Sequence, residues 1–415
     1  MIRHIVLLLT VIVAPLAGAT IPKGAPAEVG LAPERLSRIG TAVARHIDDG
    51  DITGVVTAVA RRGRIVFLEA SGVREPESGQ AMTTDAIFPL TSMTQPVVSV
   101  AVLMLMEEGK LHLDDPVSLF IPEFAHLKVA VTQPPVGLAY GDAPPFGLVP
   151  AHRPITIQDL LTHTAGLGSG PISIGEAERF AARAPDQLLA DRIPKLANVP
   201  LEFQPGSAWA YSPSAGFDTL LRVVEIISGK TADRFLNERI FQPLGMTDAA
   251  VWTPAMHHPR LVPGSEWTPR GSSLMRSRDA GLAQLSGVCI VSTAEDYVQF
   301  GQMLLNGGEL NGVRLLGPRT VDLLRSAFVN EFNSPIDGRK PGRAFGLGVQ
   351  VIRDPVARGV RVGAGTFGWD GALGSVATHF WVDPTEKIVG VVLLQGKNVA
   401  LFRDVEGAVM QAIVD

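Results

Sequence analysis

Stretches rich in β-branched residues lie near both ends of this chain, and helical patterns fill the space between them. Near the start, Thr53 to Ala60 reads as a strand, Arg61-Arg62-Gly63 breaks it, and Arg64 to Leu68 resumes it, which is a β-hairpin signal. Near the end, Phe345 to Ile352, Ser375 to Val382 and Ile388 to Gln395 read as strands, with Asp383 to Lys387 turning between the last two. A lone hairpin is marginal in water, so the distant strands are expected to join in one sheet. The fold class this implies is α/β of the α+β type: an antiparallel sheet of five or more strands flanked by helices, with a mostly helical lobe inserted. The sheet lobe should comprise about residues 31–91 and 286–415, and the helical lobe about 92–285. Residues 33–46, 92–110, 155–163, 214–228, 231–241, 293–306, 318–326 and 402–414 carry helical patterns. The proline-rich segment from Val131 to Pro154 reads as a long irregular loop.

With 415 residues, 46% of them hydrophobic, the chain can bury a sizeable core. Its net charge of -5 is spread along the sequence, and no basic run points to nucleic acid. At the N-terminus, Arg3 and His4 precede an apolar run from Ile5 to Val13, and Ala17-Gly18-Ala19 follows. That layout predicts a signal peptide over residues 1–19, export to the periplasm or medium, and a linker over 20–30. No later stretch reads as a membrane span. Cys289 is the only cysteine, so an intrachain disulfide is impossible; its apolar surroundings make it a buried small residue. There is no phosphate-binding loop, Cys-x-x-Cys pair or dinucleotide fingerprint, and the adjacent His257 and His258 lack metal-ligand spacing. No cofactor or metal is expected.

Three short stretches carry possible chemistry. Phe88-Pro89-Leu90-Thr91-Ser92-Met93-Thr94-Gln95 opens a helix read as amphipathic and running to Glu108-Gly109. A serine at a helix start is ordinarily a cap, but the same place favours a developing oxyanion. Tyr211 stands just before another helix, in Trp209-Ala210-Tyr211-Ser212-Pro213. Phe367-Gly368-Trp369-Asp370-Gly371-Ala372-Leu373-Gly374 is a glycine-rich stretch leading into a strand. Together, in this order, they resemble the three boxes of the serine β-lactamase and penicillin-binding-protein superfamily, and of its class C and family VIII esterase-like branch in particular. Leu160 to Leu167 (LLTHTAGL), Leu113 to Val117 (LDDPV), Gln242 to Met246 (QPLGM) and Val291 to Asp296 (VSTAED) are similar to further signatures of that group. The likeness covers about residues 27–415.

The resemblance implies Ser92 as nucleophile, Tyr211 as a proton carrier, and an oxyanion hole from the backbone N–H groups of Ser92 and Ala372. It implies Trp369, Asp370 and Gly371 along the substrate cleft, and a small ester, amide or peptide as substrate or ligand. One position departs sharply. The family's lysine, three residues after the serine, is Gln95 here, and an amide takes no proton near neutral pH. Pro213 replaces an asparagine, and Asp370 stands where a small residue is usual; the aspartate is either a substitute base or a solvent-facing side chain. His163 belongs to a helix-ending signature and is assigned a structural role. Two functions follow: a serine hydrolase impaired in its general base, or an inactive pseudo-enzyme that keeps the cleft as a binding site.

Overall fold

The computed structural model describes residues 20–132, 146–182, 187–251, 258–263, 289–330, 332–334, 338–339, 341–396 and 398–415. Its centre is an eight-stranded antiparallel sheet. In chain order the strands are β1 (Ile52–Arg61), β2 (Arg64–Glu75), β3 (Gln80–Ala81), β4 (Arg343–Phe345), β5 (Gln350–Ile352), β6 (Phe367–Leu373), β7 (Val376–Asp383) and β8 (Ile388–Gly396). In space they run β4-β5-β6-β7-β8-β1-β2-β3. The termini therefore meet where β1 pairs with β8, in a register that sets Val56 against Leu393 and Ala60 against Val389.

Both faces of this sheet are covered, which is why its central strands are almost uninterruptedly apolar rather than alternating. Val389, Val391 and Leu393 point into the large core shared with the helices of the middle of the chain. Their neighbours Ile388, Val392 and Leu394 point into a second core. That rear core is closed by α1 (Arg38–Asp48) and the last helix, Ala400–Ala412.

Within the front core lies α2 (Thr94–Glu107), in which every residue from Thr94 to Leu105 is buried. The amphipathic pattern expected for it is corrected: the helix is apolar nearly all round because other elements wrap it on every side. Behind it come α3 (Ala215–Ser228) and α4 (Ala294–Leu305), and the helix closing the rear face is α5. Among the described residues no helix is long and apolar enough to cross a membrane.

Other readings change as well. Phe345 to Ile352 is not one strand but the hairpin β4–β5, turning through Gly346 to Val349, where Gly348 has a φ of 78°. The glycine-rich stretch around Trp369 is itself strand β6. The ends of the presumed loop, Lys128–Thr132 and Phe146–Pro150, pair as a two-stranded ribbon, while 133–145 lie outside the described residues. Residues 20–30 do not run free as a linker: Ile21 and Val29 are buried, and the Gly24 N–H donates to the Ile65 carbonyl. Residues 1–19, read from the sequence as a signal peptide, and His257 also lie outside the described residues.

Candidate active site

Ser92 sits in a tight turn, Thr91–Met93, that feeds directly into α2. The turn is held from several sides. Phe88–Pro89 pairs with Ile290–Ser292, and the Leu90 N–H donates to the Ile290 carbonyl at 2.8 Å. The Thr378 hydroxyl on β7 donates to the Leu90 carbonyl at 2.9 Å, and the Tyr297 hydroxyl on α4 donates to the Met93 carbonyl at 2.7 Å. These bonds hold Thr91 at a φ of 51°, in the left-handed region. A β-branched residue there costs roughly 1–3 kcal/mol, a strain that survives only where the surroundings over-determine it.

Gly371 explains how closely β6 meets this turn. A Cβ on it would lie 2.0 Å from Thr91 Oγ1, 2.5 Å from Thr378 Oγ1 and 2.6 Å from the Leu90 carbonyl oxygen. Only a glycine lets the strand approach the serine turn this tightly. The close approach brings Ala372 to the lining of the same small cavity as Ser92 and Gln95, of about 90 Å³. Pro213, Phe217 and Leu221 form its opposite wall.

Tyr211 is delivered by the loop before α3. The Ser212 hydroxyl donates to the Leu167 carbonyl at 2.8 Å and accepts from the Gly216 N–H at 3.1 Å. The Ser212 N–H donates to Nδ1 of His163 at 3.3 Å, which leaves the imidazole proton on Nε2. His163 is buried among the rings of Trp209, Tyr211, Phe217 and Phe345, and burial pushes its pKa down to about 3. It is a neutral support for the tyrosine loop.

The three side chains then meet. The Tyr211 hydroxyl donates to Ser92 Oγ at 2.5 Å, and Gln95 Nε2 donates to the Tyr211 oxygen at 3.0 Å. Gln95 also reaches the Ser212 carbonyl, at 3.5 Å, while its own Oε1 is buried without a partner among the described residues. Burial pushes the Tyr211 phenol up to about 12, outweighing the hydrogen bond to Ser92. At neutral pH only about 10⁻⁵ of such a phenol is ionised. The chain of hydroxyl, phenol and amide is thus uncharged.

One of the three residues expected along the cleft, Asp370, lies elsewhere. Trp369 is only 2% exposed and packs its ring 5.8 Å from that of Tyr211, so it touches the site's tyrosine. Asp370 points through the sheet to the rear face, because successive residues of a strand face opposite sides. There it pairs with Nδ1 of His379, whose Nε2 contacts Glu406 of α5 at 3.1 Å. It is neither a base near Ser92 nor a solvent-facing side chain. Cys289 lines the cavity beside Ser92, with its thiol pushed up to about 11 by burial. Thr378, Tyr297 and Ser212, which fix the turn and the tyrosine loop, carry no local sequence signal. They are small polar residues inside apolar elements, and only their partners give them meaning.

A family model described as Beta-lactamase matches residues 39–413. Protein Rv1367c of Mycobacterium tuberculosis is 33% identical over 370 residues, covering 84% of this chain and 87% of its own. Esterase EstB of Burkholderia gladioli is 29% identical over 369 residues, covering 84% and 86%. The solved structure of EstCE1, described as a hydrolase with promiscuous acyltransferase activity, superposes with a TM-score of 0.72 at 27% identity, covering 91% of this chain and 99% of its own. With a serine turn beneath an antiparallel sheet, a tyrosine in contact with it, and a match that spans nearly the whole sequence, this chain belongs to the β-lactamase family.

Proposed function

We propose that the protein is an exported serine hydrolase of this family that transfers the acyl group of a small ester, amide or peptide through an acyl-Ser92 intermediate, and does so slowly. The observation that carries this reading is the 2.5 Å contact between Tyr211 and Ser92. Ser92 Oγ attacks the substrate carbonyl while the N–H groups of Ser92 and Ala372 receive the oxyanion. Tyr211 is too basic when ionised to wait as a phenolate, so it works as a relay. It passes its proton to the leaving oxygen or nitrogen as it takes the one leaving Ser92. The Oγ–C bond forms, the bond to the leaving group breaks, and Tyr211 ends neutral. Rotation of two hydroxyl hydrogens prepares this from the observed arrangement. Gln95 holds the phenol by a hydrogen bond but removes no proton. Without a general base the step forgoes a factor of about 10²–10⁴ in rate, or roughly 3–5 kcal/mol of barrier.

The kinship with esterase EstB and with EstCE1 supports ester chemistry. Export rests on the N-terminal pattern alone, and the division into a sheet lobe and a helical lobe remains part of the same proposal. A second reading is favoured by one observation: Gln95, buried and uncharged, fills the place of the base. Under it the cleft is a binding site for a cell-wall peptide, a small ester or a partner protein.

One experiment separates the two. The purified protein is incubated with p-nitrophenyl butyrate and with a reporter penicillin, beside Ser92→Ala, and intact mass is followed. The hydrolase reading expects slow release and a butyryl adduct on Ser92, both lost in Ser92→Ala. Release that Ser92→Ala leaves intact, or no adduct after prolonged incubation, sinks it and leaves the binder.

A further inference from the structure

The N-terminal segment is docked from Ile21 onward. Ile21 is buried, and its N–H donates to Gln299 Oε1 of α4 at 3.2 Å. The Ile65 N–H of β2 then donates to the Pro22 carbonyl at 2.9 Å, and the Gly24 N–H to the Ile65 carbonyl at 3.0 Å. Thr20, the residue before this anchor, is exposed and lines a cavity of about 560 Å³ with Asp85, Asp248, Glu295, Asp296 and Gln299. Glu295 and Asp296 stand four and three positions before Gln299 on α4, so the three share one helix face. The chain that bonds Gln299 at Ile21 thus presents Thr20 to both carboxylates.

Not all of this lining is satisfied. Asp85 and Asp248 pair with Arg260, the former at 3.5 Å. Glu295 has only the exposed Lys23, at 3.9 Å. Asp296 is buried and accepts from the Asp248 N–H at 2.7 Å, but it pairs with no cation among the described residues. Gln299 is 1% exposed, and its Nε2 has no partner among the described residues. Among the described residues these carboxylates do not converge as metal ligands do. The unmet groups describe an ammonium with a hydrogen-bond acceptor beside it. A threonine at the start of a chain offers both, the ammonium on Cα and the hydroxyl oxygen on Cβ.

We propose that this cavity seats the chain's own mature N-terminus: the α-ammonium of Thr20, created when residues 1–19 are removed, is held by Glu295 and Asp296, and Gln299 Nε2 donates to the Thr20 hydroxyl. The proposal rests on the export reading, with cleavage after Ala19. Hydrolysis of the Ala19–Thr20 peptide bond by the host's signal peptidase consumes one water. The carboxylate leaves on Ala19, and the Thr20 amine takes a proton at neutral pH. Before that step the nitrogen is an uncharged amide and the seat lacks its cation. The start of α4 carries roughly half a positive charge and opposes an ammonium, so two carboxylates in its first turn are what the seat needs. Burial raises the Asp296 carboxyl to about 7, and a cation beside it favours the ionised form.

In the test, the full-length chain is expressed in an exporting host and the intact mass of the exported protein is read. A chain beginning at Thr20 is expected. Its α-amine is then titrated by trace acetylation with acetic anhydride. It should titrate above about 9, against about 8 for a free terminus. Glu295→Gln, at a partly exposed position, and Asp296→Asn should each bring it back towards about 8. An uncleaved chain overturns the proposal together with the export reading. A terminus other than Thr20 overturns the proposal and leaves export standing. So does a Thr20 terminus that titrates at about 8 or below, or one that neither variant shifts.

Discussion

The two faces of strand β6 are built on opposite electrostatic terms. Its front face holds Trp369 against Tyr211, beside a chain of hydroxyl, phenol and amide that bears no charge. Its rear face holds Asp370 in an ionic cluster with His379 and Glu406. Residues adjacent in sequence thus serve a neutral site and a charged one, separated by the thickness of a sheet. The lesson concerns distance and screening. A carboxylate can act as a base only within hydrogen-bond reach of the proton it takes, and Asp370 spends its charge on His379 instead. The front face carries an uncharged glutamine at position 95, and Asp370 across the strand supplies no charge to it.

The largest effect should come from giving the front face a cation. Gln95→Lys places an ammonium where the amide meets Tyr211 and Ser212; burial lowers its pKa and lets it serve as a base. Acylation of Ser92 by p-nitrophenyl butyrate should rise by about 10²–10⁴, read from the rate of adduct formation. An unchanged rate in a folded variant would mean that the missing base is not what limits this site. Next is Gly371→Ala, which forces β6 off the serine turn. Overpacking against the backbone of Leu90 and the hydroxyls of Thr91 and Thr378 should cost about 1–3 kcal/mol, measured by urea unfolding, with loss of the Ser92 adduct.

Two of the buried histidines, His163 and His379, should divide the pH dependence of stability between the faces. His163, on the front, has its pKa depressed to about 3 from an ordinary 6.5. Its contribution is whole above pH 6.5 and is lost as pH falls towards 3. His379, on the rear, is raised to about 10 from 6.5. Its contribution is whole below pH 6.5 and is lost as pH rises towards 10. Each is on the order of a few kcal/mol. Unfolding free energies of His163→Gln and His379→Gln, taken from pH 4 to 10, should flatten the acid limb in the first and the alkaline limb in the second. Crossed limbs would overturn the assignment. The smallest effect belongs to Asp370→Asn. Turnover at Ser92 should change by less than about threefold, against about 10²–10⁴ for a lost general base. A larger loss would return Asp370 to the front face.

Much of this was legible before any coordinates. Runs such as Ile388 to Leu394 specify buried strands, since a sheet covered on both faces needs no polar alternation. The order of the serine, tyrosine and glycine-rich boxes gave the family, and the glutamine at 95 gave the chemical departure. The orientation of β6 was not legible. A glycine-rich stretch with one tryptophan reads only as leading into a strand, and pairing with Val376–Asp383 makes it the strand itself, with Trp369 in front and Asp370 behind. The rear cluster joins residues 370, 379 and 406, drawn from two strands and a helix. The sequence by itself determined which groups exist and that no cation stands three residues after Ser92. Tertiary structure decided which of them meet, because a hydrogen bond or an ion pair depends on ångströms across the sheet and not on spacing along the chain.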